Sequence, residues 1–159
     1  MNYIHISYPD INNGVGCRVT LWISGCPHHC RGCHNPESWN PNIGYPYTDE
    51  TLNKILKICK LPYISGLTLS GGEPLVEENI PYLTELCKEV HKLNKNIWCY
   101  TGSYWEKLSK KLQDFVVDNI DVLVDGPFQI SKLDTTSNNP FKGSTNQSII
   151  KVKVKFNKI

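Results

Sequence analysis

Three cysteines within eight residues constrain this chain more than any other feature. Cys26, Cys30 and Cys33 form a Cys-x3-Cys-x2-Cys cluster in a loop directly after a predicted strand over residues 17–24. Thiolates at this spacing can close around one metal ion or one iron–sulfur cluster without ligands from distant segments. Two interpretations stay open: a zinc site completed by a histidine, or a 4Fe–4S cluster with one iron left open. The histidines available for zinc are His28, His29 and His34.

The remaining cysteines argue against a disulfide framework. The chain has seven cysteines, an odd number, and its start, MNYIHISYPD, lacks the basic and apolar regions of a secretory signal. We therefore expect a cytoplasmic protein. Cys59, Cys87 and Cys99 lie in apolar patterns that predict small buried side chains, and Cys17 at the start of a strand is interpreted in the same way.

Composition excludes several classes of protein. The net charge of +2 gives no reason to expect a nucleic-acid partner, and no apolar run approaches the roughly 20 residues of a membrane-spanning helix. A length of 159 residues suits one domain, so we expect residues 1–159 to form a single domain.

Alternating strand and helix patterns predict an α/β fold with a mainly parallel sheet. Thr48 is the expected N-cap of the first helix, and Ser103 and Glu106 form a capping box that predicts the start of the third. The second helix is predicted over residues 79–93. The predicted strands cover residues 17–24, 66–70, 96–100, 120–124 and 148–156.

Functional loops of a parallel sheet lie at the carboxyl ends of its strands. Here those loops are residues 25–47, 71–78, 101–102 and 125–147. The second loop begins with Gly71-Gly72-Glu73-Pro74, directly after a predicted strand. Glycines let a backbone approach a ligand closely, and a carboxylate suits an ammonium group. Tyr100 and Thr101 end the next strand, where a ligand contact is expected.

The cysteine cluster and the Gly-Gly-Glu motif, in this order and each after a strand, resemble the radical S-adenosylmethionine enzymes. The resemblance implies a partial, open TIM-like barrel of the radical S-adenosylmethionine type with about five mainly parallel strands. It implies that Cys26, Cys30 and Cys33 hold one 4Fe–4S cluster. It further implies that Gly71, Gly72 and Glu73 bind S-adenosyl-L-methionine, with Glu73 on its amino group.

Further segments are similar to one subfamily, the activating proteins of anaerobic ribonucleotide reductase. These segments are residues 12–18, 24–30, 33–37, 100–102, 121–128, 141–144 and 146–147. The resemblance implies an oxidoreductase that cleaves S-adenosyl-L-methionine reductively to a 5′-deoxyadenosyl radical. That radical would generate a glycyl radical on the anaerobic ribonucleoside-triphosphate reductase, its protein substrate. It also implies a flavodoxin- or ferredoxin-type electron donor.

Three polar residues stay open at this stage. Asp125, at the end of the fourth predicted strand, is a candidate cofactor ligand or an ordinary turn residue. For Asn146 and Gln147 three interpretations stay open: a contact with adenosine, a contact with the partner, or a polar loop without a ligand.

Two alternative functions also stay open. One is another small radical S-adenosylmethionine enzyme that acts on a small molecule. The other is a non-catalytic iron–sulfur or zinc module, which would leave the Gly-Gly-Glu motif unexplained.

Overall fold

The computed structural model describes residues 1–136 and 140–155. Within these ranges seven strands form one open sheet in the order β3-β1-β2-β4-β5-β6-β7. The strands are β1 (Asn2–Asp10), β2 (Arg18–Ile23), β3 (Tyr45–Pro46), β4 (Gly66–Gly71), β5 (Asn96–Tyr100), β6 (Val122–Asp125) and β7 (Ser148–Lys151). The predicted α/β class is confirmed, and the sheet does not close into a barrel.

The four central strands are parallel, and the three outer ones are antiparallel to their neighbours. The expected number of about five strands is wrong, because β1 and β3 were not predicted. β1 pairs with β2 along most of its length and so covers an edge that the parallel strands would leave open. β3 is only two residues long and pairs with the start of β1.

Aliphatic side chains of the central strands form the core on one face of the sheet. Alternate residues of β2 and β4, such as Leu21 and Leu69, are fully buried and lie side by side in the parallel register. Three longer helices and one short one accompany the sheet: α1 (Asp49–Cys59), α2 (Ile80–Lys92), α3 (Lys110–Asn119) and α4 (Val152–Lys155). No helix of the described ranges is long and apolar enough to cross a membrane.

Polar and aromatic side chains alternate with these aliphatic ones and occupy the opposite face. Thr20 lies beside Thr68, and Trp22 beside Ser70, in the β2–β4 register. Because side chains alternate between the two faces of a strand, these four residues share one face, which is polar and aromatic where the other is aliphatic. Trp22 and Ser70 of this face line the cavity described below.

The first helix begins as predicted, and the third does not. Thr48 accepts a hydrogen bond from the Thr51 backbone N–H and caps α1. The backbone N–H of Ser103, which the Glu106 side chain of a capping box would accept, donates to Thr101 Oγ1 at 3.1 Å, and the neighbouring Trp105 N–H donates to Asp125 Oδ2 at 2.8 Å. The chain therefore makes only a 3-10 turn there, and Ser109 caps α3 by accepting from the Leu112 N–H.

The predicted last strand, residues 148–156, is also too long. Strand β7 ends at Lys151, opposite Val122, which is the first residue of its partner β6. Beyond that pair, β6 has no further residue for β7 to pair with in the described part of the chain. The Val152 backbone N–H donates to the Asp121 carbonyl, and the chain turns into α4. The rest of the predicted strand, from residue 156, lies outside the described residues.

Candidate functional site

The loops that follow the parallel strands meet around one cavity of about 480 Å³. The parallel register places the ends of β2 and β4 side by side, with Ile23 opposite Gly71. The residues of these loops that line the cavity include Cys26, His28, Cys30, Cys33, Gly71, Gly72, Thr101, Gly102, Gly126, Phe128 and Gln147. The structure therefore brings together the cysteine loop and most of the Gly-Gly-Glu motif, which are about 40 residues apart in sequence.

The cysteine loop is bent so that all three thiols face this cavity. His29 and Gly32 adopt positive φ angles of 48° and 76°, and these two left-handed residues fold the segment back on itself. The Asn35 backbone N–H lies 3.4 Å from the Cys33 sulfur. Burial raises the pKa of the Cys26 thiol, although the backbone N–H groups of His28 and His29 act in the opposite direction.

The three cysteines of this loop are the candidate ligands of a metal ion or of a cluster. Among the described residues, no three His, Cys, Asp or Glu side chains are grouped closely enough to hold one metal ion. A zinc ion needs its ligands to converge within about 2.3 Å of one point, whereas in a cluster each thiolate binds its own iron atom. The other cysteines are absent from the cavity wall, and Cys59, Cys87 and Cys99 are buried.

Gly71 and Gly72 permit a close contact between two backbones. A Cβ on Gly72 would lie 2.3 Å from the Gly25 carbonyl oxygen, and Gly71 has a φ of 100°. The Gly72 N–H donates to Ile23 O at 2.7 Å, and the Glu73 N–H donates to Gly25 O at 2.8 Å. The glycines therefore dock the start of the cysteine loop directly on the end of β4, in addition to lining the cavity.

Glu73 is buried behind the cavity wall and is only 2% exposed. Its Oε2 atom accepts hydrogen bonds from Thr101 Oγ1 at 3.0 Å, from the Gly102 N–H at 2.8 Å and from His28 Nε2 at 2.6 Å. Its Oε1 atom accepts from the Leu75 N–H at 2.9 Å. Because these donors surround the carboxylate, its charge is compensated without a ligand.

His28 is the cavity-side partner of that carboxylate. The ring lines the cavity and keeps 24% of its side chain exposed, whereas Glu73 does not line the cavity. The hydrogen bond to Glu73 raises the pKa of His28, although burial opposes this shift. Gly102 makes room for the ring, since a Cβ there would lie 2.5 Å from His28 Cδ2. Sequence spacing gave no indication of this contact.

Tyr100 and Thr101 both line the cavity, as expected from their place at the end of β5. The Tyr100 hydroxyl donates to the Phe141 carbonyl at 2.8 Å and so holds the 141–147 segment over the sheet. Burial raises the pKa of Tyr100, so the hydroxyl stays protonated. Thr101 supplies its hydroxyl to Glu73 and is almost fully buried.

Asp125, Asn146 and Gln147 are engaged mainly within the protein. Asp125 does not line the cavity, and its Oδ1 atom is buried without a hydrogen-bond partner in the described structure. The Asn146 amide donates to Tyr104 and to Pro127, while its own oxygen has no partner. The Gln147 oxygen accepts from two backbone N–H groups and its amide donates to Gly126 O, which closes the 141–147 segment.

Several residues of the cavity wall were not predicted. They are Asn12, Asn13, Trp22, Ser70, Phe141 and Lys142. One feature of the sequence could have indicated this wall. In β2, Thr20 and Trp22 alternate with the buried Leu21 and Ile23. A strand inside a parallel sheet has both faces covered and is normally apolar on both. Polar and aromatic residues on one face of such a strand indicate a ligand cavity on that face.

Comparison with known proteins agrees with this site. The model of the 4Fe-4S single cluster domain matches residues 12–150. The chain is similar to proteins named anaerobic ribonucleoside-triphosphate reductase-activating protein. It is 40% identical to those of Pasteurella multocida and Escherichia coli K12, over 94% of this chain and 96% and 97% of theirs. It is 36% identical to that of enterobacteria phage T4, over 94% of this chain and 93% of the phage protein. The chain therefore belongs to the family of anaerobic ribonucleoside-triphosphate reductase-activating proteins and contains a 4Fe–4S single cluster domain.

Proposed function

We propose that this protein activates an anaerobic ribonucleoside-triphosphate reductase by radical S-adenosylmethionine chemistry. When bound, a 4Fe–4S cluster and S-adenosyl-L-methionine supply the one-electron chemistry that produces a 5′-deoxyadenosyl radical and, from it, a glycyl radical on the reductase. In this proposal the open sheet is a partial barrel of the radical S-adenosylmethionine type. The observation that carries the proposal is the cavity that the cysteine loop shares with Gly71 and Gly72 of the Gly-Gly-Glu motif, in a chain of this family.

One group of residues would hold the cluster, and a second group would hold the cofactor. Cys26, Cys30 and Cys33 would bind the cluster as its protein ligands. Gly71 and Gly72 would offer backbone groups to the cofactor, and Glu73 is the proposed partner of its ammonium group. Tyr100 and Thr101 line the same cavity. Their hydroxyls donate hydrogen bonds to Phe141 O and Glu73 Oε2, and these contacts fix the shape of the cavity wall.

Asp125 is a further proposed cofactor ligand. Its unpartnered Oδ1 atom is an acceptor that a hydroxyl or amine donor would satisfy, but the side chain lies behind the cavity wall. We propose a contact with the cofactor only through a small shift of the segment at Gly126. The same proposal includes a flavodoxin- or ferredoxin-type electron donor and a cytoplasmic location.

The test is activation of the reductase under strict exclusion of oxygen. The cluster is reconstituted, S-adenosyl-L-methionine, a low-potential reductant and the reductase are added, and paramagnetic resonance is recorded. We expect 5′-deoxyadenosine and a glycyl radical doublet on the reductase. The Cys30→Ala variant, treated in the same way, should give neither product.

Other outcomes separate the alternatives. Cleavage of S-adenosyl-L-methionine without a glycyl radical or any association with the reductase would indicate an enzyme with a small-molecule substrate. Failure of the cluster-loaded protein to bind S-adenosyl-L-methionine would contradict the proposed chemistry and favour a non-catalytic iron–sulfur module.

A further inference from the structure

We infer that His28 occupies the ammonium position of the cofactor site in the free protein, and that S-adenosyl-L-methionine must displace it from Glu73 in order to bind. The inference rests on the proposed function and concerns one contact within it. It makes His28 a residue that sets cofactor affinity and links cofactor binding to the cysteine loop.

The first support is the saturation of Glu73. Its Oε2 atom already has three donors, of which Thr101 and the Gly102 N–H belong to the end of β5 and its loop. The remaining donor, His28 Nε2 at 2.6 Å, comes from the partly exposed middle of the cysteine loop, so a cavity-side group can replace it without moving the segment that follows β5. An ammonium group offers the same N–H donors and a full positive charge, so it can take over this contact.

The second support is the position of the ring between the carboxylate and the cavity. His28 lines the cavity and is partly exposed, while the Glu73 carboxylate is 2% exposed and lies behind it. The ring uses space that the absent side chain of Gly102 leaves free. Since Gly102 also lines the cavity, removal of the ring would open that space to a ligand and expose the carboxylate.

The third support is that His28 can leave at low cost. Its neighbours Pro27 and His29 are exposed, and His28 is absent from the buried core. The loop keeps its own anchors when the ring moves, because the Cys26 N–H donates to Trp39 O and the Cys33 N–H donates to Cys30 O. Displacement therefore changes the middle of the loop, between two proposed cluster ligands, without changing its ends.

The experiment measures the affinity of the cluster-loaded protein for S-adenosyl-L-methionine by equilibrium dialysis, at matched iron content. We expect His28→Ala to bind roughly three- to tenfold more tightly, the range that loss of one competing hydrogen bond gives. His29→Ala is the matched control, because this neighbouring ring packs on Trp39 and not on Glu73, and its affinity should be unchanged.

A double-mutant cycle separates competition from a general effect on the loop. Glu73→Gln should weaken binding of the cofactor. Adding His28→Ala to this variant should not tighten binding, because the carboxylate for which the ammonium group and His28 compete is gone. 5′-Methylthioadenosine, which has no ammonium group, should bind wild type and His28→Ala equally. Binding of the cofactor that is unchanged or weaker in His28→Ala would overturn the inference, whereas absence of binding in every protein would overturn the proposed function itself.

A second readout needs no cluster. In the cluster-free protein labelled with ¹⁵N, the ring nitrogen resonances of His28 should shift on Glu73→Gln and stay in place on His29→Ala. Resonances of His28 that are insensitive to Glu73→Gln would show that the contact is absent in solution and would overturn the inference.

Discussion

At the scale of single residues, the Gly-Gly-Glu motif has a structural task as well as a proposed chemical one. Gly72 has no room for a side chain, because the carbonyl of Gly25 occupies that space. The contact joins the end of β4 to the start of the cysteine loop, so the first proposed cluster ligand is held by the motif itself. A methyl group at position 72 would push the two segments apart.

We expect Gly72→Ala to lower the free energy of unfolding of the cluster-free protein by about 1–3 kcal/mol, the usual cost of overpacking. It should also reduce the iron content after reconstitution. Gly143→Ala is the control, since its new methyl group would meet side-chain atoms only, the ring of Phe128 at 2.9 Å and Gln147 Oε1 at 3.6 Å, and the ring can move. Denaturant titration checks the first effect, and Gly72→Ala as stable as wild type would contradict the packing described here.

The cluster ligands give a second prediction at this scale. Cys30→Ala should abolish cluster binding, because the loop then presents two thiolates in place of three. Cys17→Ala and Cys59→Ala should retain it, since neither residue lines the cavity. The measurement is iron and acid-labile sulfide per chain after anaerobic reconstitution. Near-normal content in Cys30→Ala would disprove the ligand assignment.

At the scale of elements, the start of α3 shows how a distant side chain overrides a local signal. Ser103 and Glu106 have the spacing of a capping box, yet the Ser103 backbone N–H that the box would use donates to Thr101, and Asp125 accepts the N–H of Trp105 inside the first predicted turn. The helix then begins six residues later than predicted, at Lys110, with Ser109 in place of Ser103 as its N-cap. The same Asp125 ties the end of β6 to the segment that follows β5.

This difference predicts unequal effects of two similar substitutions. Ser109→Ala should lower the free energy of unfolding by about 1 kcal/mol, because it removes an N-cap. Ser103→Ala should change it by less than half as much, since the Ser103 side chain caps no helix. Denaturant unfolding of both cluster-free variants is the measurement. A larger loss of stability in Ser103→Ala than in Ser109→Ala would indicate that Ser103 caps the helix and would contradict this description.

At the scale of the whole molecule, one buried cation joins segments that are far apart in sequence. The Arg18 guanidinium donates to Thr68 Oγ1, to Asn96 Oδ1 and to the backbone carbonyls of residues 15, 67 and 96. It is fully buried and lies 5.6 Å from the Trp98 ring centroid. Burial lowers the pKa of Arg18 to about 10, so the group remains charged at neutral pH.

We expect Arg18→Lys to lower the free energy of unfolding by about 3 kcal/mol or more, because an ammonium cannot reproduce the planar set of donors and leaves buried acceptors unpaired. Arg31→Lys, at an exposed position of the cysteine loop, is the matched control and should change it by less than about 0.5 kcal/mol. Thermal and denaturant unfolding of the cluster-free proteins provide the comparison. Equal stability of the two variants would contradict the proposed importance of Arg18.

The sequence by itself determined the parts of this protein that depend on local spacing. The cysteine cluster, the Gly-Gly-Glu motif, the cap at Thr48 and the four central strands follow from residues close together in the chain, where covalent geometry limits the possible structures. Their order was enough to predict that the loops at the carboxyl ends of the strands would share one edge of the sheet.

Only the tertiary structure decided which groups satisfy one another across those loops. His28 and Glu73 are 45 residues apart, and Trp105 and Asp125 are 20 apart. A buried carboxylate takes whichever donors the strand register and loop packing bring within about 3 Å, and no pattern along the chain specifies that choice. The length of β7 was decided in the same way, because a strand extends only as far as its partner offers hydrogen bonds.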